Sequence, residues 1–202
     1  MAVTSPTELP TPQTLQEIAK VEVWDEDGNK VPFGSIYGEE KAVVVFIRHF
    51  FCGLCQQYTS QLAAVKSEAL QAANTKIVVV GCGEWKLMKD YKENTGFKGS
   101  IYADPDRALY RALDMKENMK GTPAGEKKRG YLQDSIVQNV VGAFKRGFKH
   151  PLNIGKQGNV SQNGGEFVFG PGDTCSFASR MQHTEDHVEI ADLMKEAGVV
   201  FP

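Results

Sequence analysis

Four cysteines in 202 residues are too few for the disulfide framework of a small secreted protein. The default is a reducing compartment, read as the cytoplasm, with cysteine kept for chemistry. No apolar run reaches the length of a membrane span, so no membrane partner is expected. A net charge of −2 leaves no basic excess with which to hold nucleic acid or an anionic bilayer. Residues 1–12 lack the basic, apolar pattern of a signal peptide and read as a flexible arm. There is no internal repeat, no second C-x-x-C and no histidine pair spaced as in a zinc finger. What remains is a soluble composition long enough for one domain with a substantial core, expected over 13–202.

Against that background one feature stands out, the box Cys52-Gly53-Leu54-Cys55. It follows Ala42-Val43-Val44-Val45-Phe46-Ile47, an apolar run that reads as a buried strand. It precedes Leu54, Tyr58, Leu62, Val65 and Ala69, which have helical spacing. The cysteines therefore sit where a strand ends and a helix begins. Unpaired backbone N–H groups and the positive end of the helix dipole gather there, and both favour a thiolate. Arg48 and His49 lie just upstream as further sources of positive potential. Being adjacent, they point to opposite faces if the strand continues, so at most one reaches a thiol. The blander readings of the box are a structural zinc site or two inert buried cysteines. Its setting reads mainly as a redox motif.

The rest of the chain supports a mixed α/β pattern. Val21–Trp24, a turn at Asp25–Asn29 and Lys30–Phe33 read as an N-terminal hairpin. Ile77-Val78-Val79-Val80 is a second buried strand with Cys82 directly after it. A helix over about 84–93 follows, ending before Gly96. Ile101-Tyr102 reads as a short third strand or an approach to Asp104-Pro105. Asp106 is the expected cap of a helix carrying Leu109, Tyr110 and Leu113. Residues of about 114–165 form an insertion around one amphipathic stretch, Leu132 to Phe148. It reads as a helix packed on the domain, a lid over the thiols or a dimer contact. Phe167–Phe169, Gly170–Asp173 and Thr174–Ala178 read as a hairpin, and a last helix is expected from about Asp186 to Ala197, ending at Gly198. His183 and His187, four residues apart, read as a solvated helix start rather than a metal site.

The order βαβα, insertion, ββα with C-x-x-C after the first buried strand resembles the thioredoxin fold. Three segments narrow the likeness: Phe46-Ile47-Arg48-His49-Phe50-Phe51-Cys52-Gly53-Leu54-Cys55, Tyr102-Ala103-Asp104-Pro105-Asp106-Arg107-Ala108-Leu109-Tyr110, and Gly164-Gly165-Glu166-Phe167-Val168-Phe169-Gly170-Pro171-Gly172. Together they resemble the peroxiredoxin-like 2 proteins, a branch of the alkyl hydroperoxide reductase and thiol-specific antioxidant superfamily. The resemblance implies a central mixed sheet flanked by helices, with a helical insertion before the C-terminal hairpin. It also implies a cytosolic antioxidant thiol oxidoreductase without cofactor or metal. Peroxides or disulfides are then the substrates, the thioredoxin or glutathione system the reductant, and a homodimer one further partner.

Two assignments of the nucleophile follow from the likeness and both stay open. In the thioredoxin assignment, exposed Cys52 attacks and Cys55 resolves the mixed disulfide. In the peroxiredoxin alignment, Cys55 attacks the peroxide and Cys52 condenses with the sulfenic acid. Both end in a Cys52–Cys55 disulfide, and helix geometry leans to Cys52. The chain departs from the peroxiredoxin motif in having Cys52 in place of its Thr and Arg48 in place of its Pro. Arg180 is the one late candidate for the second Arg that polarises the peroxide. Phe46 stands where thioredoxins carry a buried Asp, and Gly164-Gly165 where they keep a cis-Pro. Cys82 reads as a small residue at a strand end or as a further reactive thiol, and Cys175 as structural. The alternatives in function are a redox-regulated binding module and a metal or iron–sulfur protein of the same fold.

Overall fold

The computed structural model describes residues 5–132, 153 and 155–201. The amphipathic stretch after Leu132, with its expected helix, lies outside them. Among the described residues, seven strands form one mixed sheet. The strands are β1 (Glu22–Trp24), β2 (Lys30–Pro32), β3 (Lys41–Phe46), β4 (Thr75–Gly81), β5 (Ser100–Ala103), β6 (Gly165–Phe169) and β7 (Cys175–Arg180). Their spatial order is β2-β1-β5-β4-β3-β6-β7. β3, β4 and β5 run parallel, and β1–β2, β3–β6 and β6–β7 pair antiparallel. The helices are α1 (Pro12–Ala19), α2 (Gly53–Leu62), α3 (Ser67–Ala72), α4 (Met88–Thr95), α5 (Ala108–Ala112) and α6 (Ile190–Ala197). This is the thioredoxin-like plan of a central mixed sheet flanked by helices.

The apolar run of β3 is buried on both faces, which is why it does not alternate with polar residues. Val43, Val45 and Ile47 face one layer with Cys52, Cys55, Tyr58 and Leu62 around α2, Tyr91 of α4 and Leu193 of α6. Ala42, Val44 and Phe46 face the other with Ile18 of α1 and Leu109 and Tyr110 of α5. At the carboxyl end of the parallel strands the Tyr110 hydroxyl donates to Ile47 O at 2.7 Å and contacts Val80 O at 3.0 Å. That contact ties β3 to β4 directly below the cysteine box. Gly164 leads into β6 so close to β3 that a Cβ there would stand 1.8 Å from Phe46 O. Only a residue without a side chain admits that approach.

Three local expectations are corrected. The stretch from Leu54 to Ala69 is two helices, not one. Its last turn closes through Ala64 N–H to Gln61 O and Val65 N–H to Leu62 O, and Lys66 is extended at ψ 134°. This break drops Val65 into the core while α3 buries none of its residues. Asp106 does not cap α5. Asp104 does, its two carboxylate oxygens accepting from Ala108 N–H at 3.0 Å and Leu109 N–H at 2.9 Å. Arg107, at φ 55°, turns the chain between them. The last helix begins at Ile190 rather than near Asp186, because the preceding backbone is held by side chains. His187 N–H donates to the Tyr131 hydroxyl and Val188 N–H to Glu166. No helix among the described residues is long and apolar enough to cross a membrane.

Candidate active site

α2 starts at the cysteine box. Cys52 is its N-cap, in extended conformation, and its sulfur accepts from Cys55 N–H at 3.3 Å. The sulfur thus takes the place of the oxygen that usually satisfies a first-turn donor. His49 O holds Cys52 N–H at 3.0 Å, and the Gln56 side chain donates to Phe50 O at 2.9 Å. These bonds fix the entry to the helix from both sides.

The two sulfurs are 2.8 Å apart, as thiols in hydrogen bond and not as a disulfide, with Cys55 donating to Cys52. Arg48 Nη1 approaches Cys52 Sγ at 3.6 Å, and Arg48 N–H donates to Cys55 Sγ at 3.4 Å. The Cys55 hydrogen bond, then the Arg48 cation, the Cys55 N–H and the field of His187, outweigh burial and bring the Cys52 thiol down to about 6. Cys55 is driven the other way, well above the ordinary thiol range, by burial first and then by its bond to Cys52 and that anion. The two thiols are thus pushed in opposite directions, Cys52 down and Cys55 up.

The guanidinium of Arg48 is anchored beyond the sulfur. Nη2 donates to Val160 O at 2.7 Å and meets Met119 Sδ at 3.5 Å. The loop that carries Val160 closes on the same strand ends. Phe50 N–H donates to Gln157 O, and Glu84 N–H to Lys156 O. Cys82 lies within this closure, its thiol donating to Arg48 O at 2.9 Å and pushed up to about 11 by burial. His49 is buried, and burial followed by the neighbouring Arg48 cation lowers it to about 4, so its ring is neutral. Of the two adjacent basic residues, Arg48 faces the thiols.

Arg180 is not in this site. It shares the face of Ala178 on β7, which packs in the layer opposite the cysteines. Its guanidinium donates to Leu113 O and, at 2.7 Å, to Glu8 O, and lies 5.4 Å from the centre of the Phe167 ring. It fastens the N-terminal segment to the sheet. Cys175, partly buried, donates to Phe177 O in the same hairpin.

His183 and His187 are not a solvated helix start, since both are buried in the irregular segment before α6. His183 stands with Glu126 and Asp186, the one group of three metal-type donors found among the described residues. Its Nδ1 accepts from Glu185 N–H, which leaves the proton on Nε2, 3.8 Å from Glu126 and 3.9 Å from Asp186. Arg129 already occupies the Asp186 oxygen at 2.6 Å. That arrangement suits a ring set beside the Arg129–Asp186 ion pair better than a metal, which would need the Nε2 lone pair. His187 instead meets Glu166 in the thiol layer. Neither residue was marked as functional by the sequence. The one signal was Glu166 itself, a lone charge beside Phe167-Val168-Phe169.

A family model described as AhpC/TSA antioxidant enzyme matches residues 61–183. Human "Peroxiredoxin-like 2C" is 32% identical over 182 residues, covering 90% of this chain and 79% of that protein. The Arabidopsis thaliana "Thioredoxin-like protein AAED1, chloroplastic" is 30% identical over 191 residues, covering 90% and 72%. The solved bacterioferritin comigratory protein of Xanthomonas campestris superposes with a TM-score of 0.59 over 95% of this chain and 93% of that one, at 16% identity. Sheet order, helix placement and these likenesses agree: the chain belongs to the AhpC/TSA antioxidant enzyme family, beside the peroxiredoxin-like 2 proteins.

Proposed function

We propose that this chain is a thiol oxidoreductase that reduces peroxides, with Cys52 as nucleophile and Cys55 as the resolving thiol. The observation that carries it is the Cys52 sulfur, which accepts the Cys55 thiol at 2.8 Å while Arg48 approaches at 3.6 Å. The family match begins after the cysteine box, so the roles of the two sulfurs rest on this geometry.

The chemistry runs in two steps. The Cys52 thiolate attacks one peroxide oxygen, forming S–O as O–O breaks. The departing alkoxide takes a proton and leaves as an alcohol, or as water from hydrogen peroxide, and Cys52 becomes a sulfenic acid. Cys55 sulfur then attacks Cys52 sulfur, forming S–S as S–O breaks. The hydroxide leaves with the proton that Cys55 held, as water. An external dithiol or glutathione returns two electrons and two protons, and thioredoxin- or glutathione-type reductants in the cytoplasm are the expected partners. Cys52 is only 4% exposed, which favours a small electrophile over the disulfide of a folded protein.

Intact mass and peptide mapping after one equivalent of hydrogen peroxide test the reading. Wild type should lose two protons' mass and show Cys52 joined to Cys55. Cys55→Ser should stop at an oxidised Cys52, and Cys52→Ser should stay reduced. Oxidation of Cys55 in Cys52→Ser at the wild-type rate would reverse the roles.

A further inference from the structure

Met119 is the one apolar residue in the run Lys116-Glu117-Asn118-Met119-Lys120, which follows α5. Met88, Met115, Met181 and Met194 are buried, and Met119, 64% exposed, is the methionine that solvent reaches among the described residues. An exposed apolar side chain needs no explanation by itself, but its fixed position does. Asn118 N–H donates to Ser161 O and Thr184 N–H to Lys120 O, both at 2.8 Å, so the backbone is held on each side of Met119. Its sulfur stands 3.5 Å from Arg48 Nη2, on the guanidinium whose Nη1 is 3.6 Å from Cys52 Sγ. One cation thus touches two sulfurs, a buried thiol and an exposed thioether.

The contacts of that guanidinium are unequal. Nη2 donates to Val160 O at 2.7 Å, a full hydrogen bond to a carbonyl. A thioether is a weak acceptor, and the contacts to both sulfurs are long. Oxidation of Met119 would reverse that order at its own contact. A sulfoxide is polar where the thioether was apolar. Its oxygen accepts from a cation in a bond roughly twice as strong as one between neutral groups. The Nη1 contact to Cys52 is then the weakest of the set and the first to lengthen.

We infer that Met119 is an oxidation site of the thiol centre, whose sulfoxide takes Arg48 Nη2, draws the guanidinium from Cys52 and slows that thiol. The inference rests on the proposed reading of Cys52 as the nucleophile that meets peroxide. In the step itself the Met119 sulfur attacks one hydroperoxide oxygen, forming S–O as O–O breaks. The hydroperoxide proton passes to the departing oxygen. The thioether is oxidised to the sulfoxide, and the peroxide is reduced to an alcohol, or to water from hydrogen peroxide. The oxidant is the proposed substrate. Once Cys52 and Cys55 are joined as a disulfide, neither is left as a thiol, and Met119 is the sulfur still facing peroxide beside Arg48. Peroxide in excess of the reductant is therefore recorded at Met119. The record outlasts reduction of the disulfide, because a sulfoxide needs its own reductase.

The test uses the full chain, first oxidised to the Cys52–Cys55 disulfide, which shields both thiols, and then treated with excess hydrogen peroxide. Dithiothreitol restores the thiols and leaves a sulfoxide in place. Peptide mapping locates the added oxygen, and iodoacetamide labelling at pH 6 gives the rate at Cys52. Met119 should gain oxygen ahead of Met88, Met115, Met181 and Met194. Cys52 in the treated chain should then react about 2- to 3-fold more slowly than in the untreated one. The methionine sulfoxide reductases, one for each epimer, should restore the rate. Met119→Leu, with no sulfur to oxidise, should react equally before and after treatment. Met119→Gln, with an amide oxygen in place of the sulfoxide, should be slower than Met119→Leu without any treatment. A Met119 sulfoxide with the Cys52 rate unchanged overturns the inference, and so does a rate loss that Met119→Leu shares. A Met119 that oxidises no sooner than the buried methionines overturns it as well. An untreated chain in which Cys55 takes the label and Cys52 does not would instead bring down the assignment of the nucleophile, and the inference with it.

Discussion

Arg48 Nη1 stands 3.6 Å from Cys52 Sγ while Nη2 is pinned to Val160 O at 2.7 Å. The cation is thus fixed by the loop over the strand ends and does not depend on the sulfur for its place. Replacing it tests its contribution to the thiolate. Arg48→Met should raise the Cys52 midpoint by about one unit and slow oxidation by peroxide at pH 6. Arg48→Lys should recover part of this, since one ammonium cannot span both the sulfur and Val160 O. Alkylation against pH measures both, and an unmoved midpoint in Arg48→Met would remove Arg48 from the site.

The split thiol pair makes stability depend on pH. Cys52 has a folded value of about 6, below that of an unfolded thiol near 8.5. Between those values the unfolded chain binds the extra proton, so stability of the reduced protein rises with pH. The contribution is complete above about 8.5 and is lost as pH falls through about 6. Cys55, raised in the folded state, acts oppositely once the unfolded thiol ionises. The reduced protein should therefore gain in urea midpoint from pH 6 to 8 and level off or decline above. Cys52→Ala should flatten the rise, and an equal slope in that variant would contradict the assignment.

Tyr110 supports the site from the opposite layer. Its hydroxyl contacts Ile47 O and Val80 O within the core. Tyr110→Phe removes the donor and leaves Ile47 O without this bond, at a cost of about 1–3 kcal/mol. Chemical denaturation would measure it. A loss well below that range would mean that the carbonyls find other donors.

Arg180 gives a contrast to Arg48. Its guanidinium binds Ser5 O, Pro6 O and Glu8 O. Arg180→Met should expose residues 5–11 to limited proteolysis while the Cys52 alkylation profile stays as in wild type. A shifted profile with an intact arm would reverse this placement.

The buried strands and the start of α2 were legible because each is decided locally. Ala42–Ile47 and Ile77–Val80 are too apolar to lie anywhere but inside a sheet. The Cys52 N-cap follows from where the strand stops and helical spacing begins. The αL caps Gly96 and Gly198 were marked by glycine alone. The Asp104 cap was missed because Arg107, a non-glycine residue at positive φ, moved the helix start relative to its cap.

Residues far apart in the chain were decided by the sheet. Nothing near His187 in sequence says that β6 will bring Glu166 to it, 21 residues away. Four-residue spacing suggested a helix face for His183 and His187, but buried side-chain bonds to their segment delayed α6. Arg180 lay in a strand whose alternation decides its face, and only the register with β6 turned it from the thiols. By itself the sequence determined a cysteine pair at a helix start, because the end of the apolar run and the helical spacing after it are local properties. The tertiary structure decided which cation reaches the Cys52 sulfur and which carboxylate lies in its layer, because strand pairing and register set the face of every distant residue.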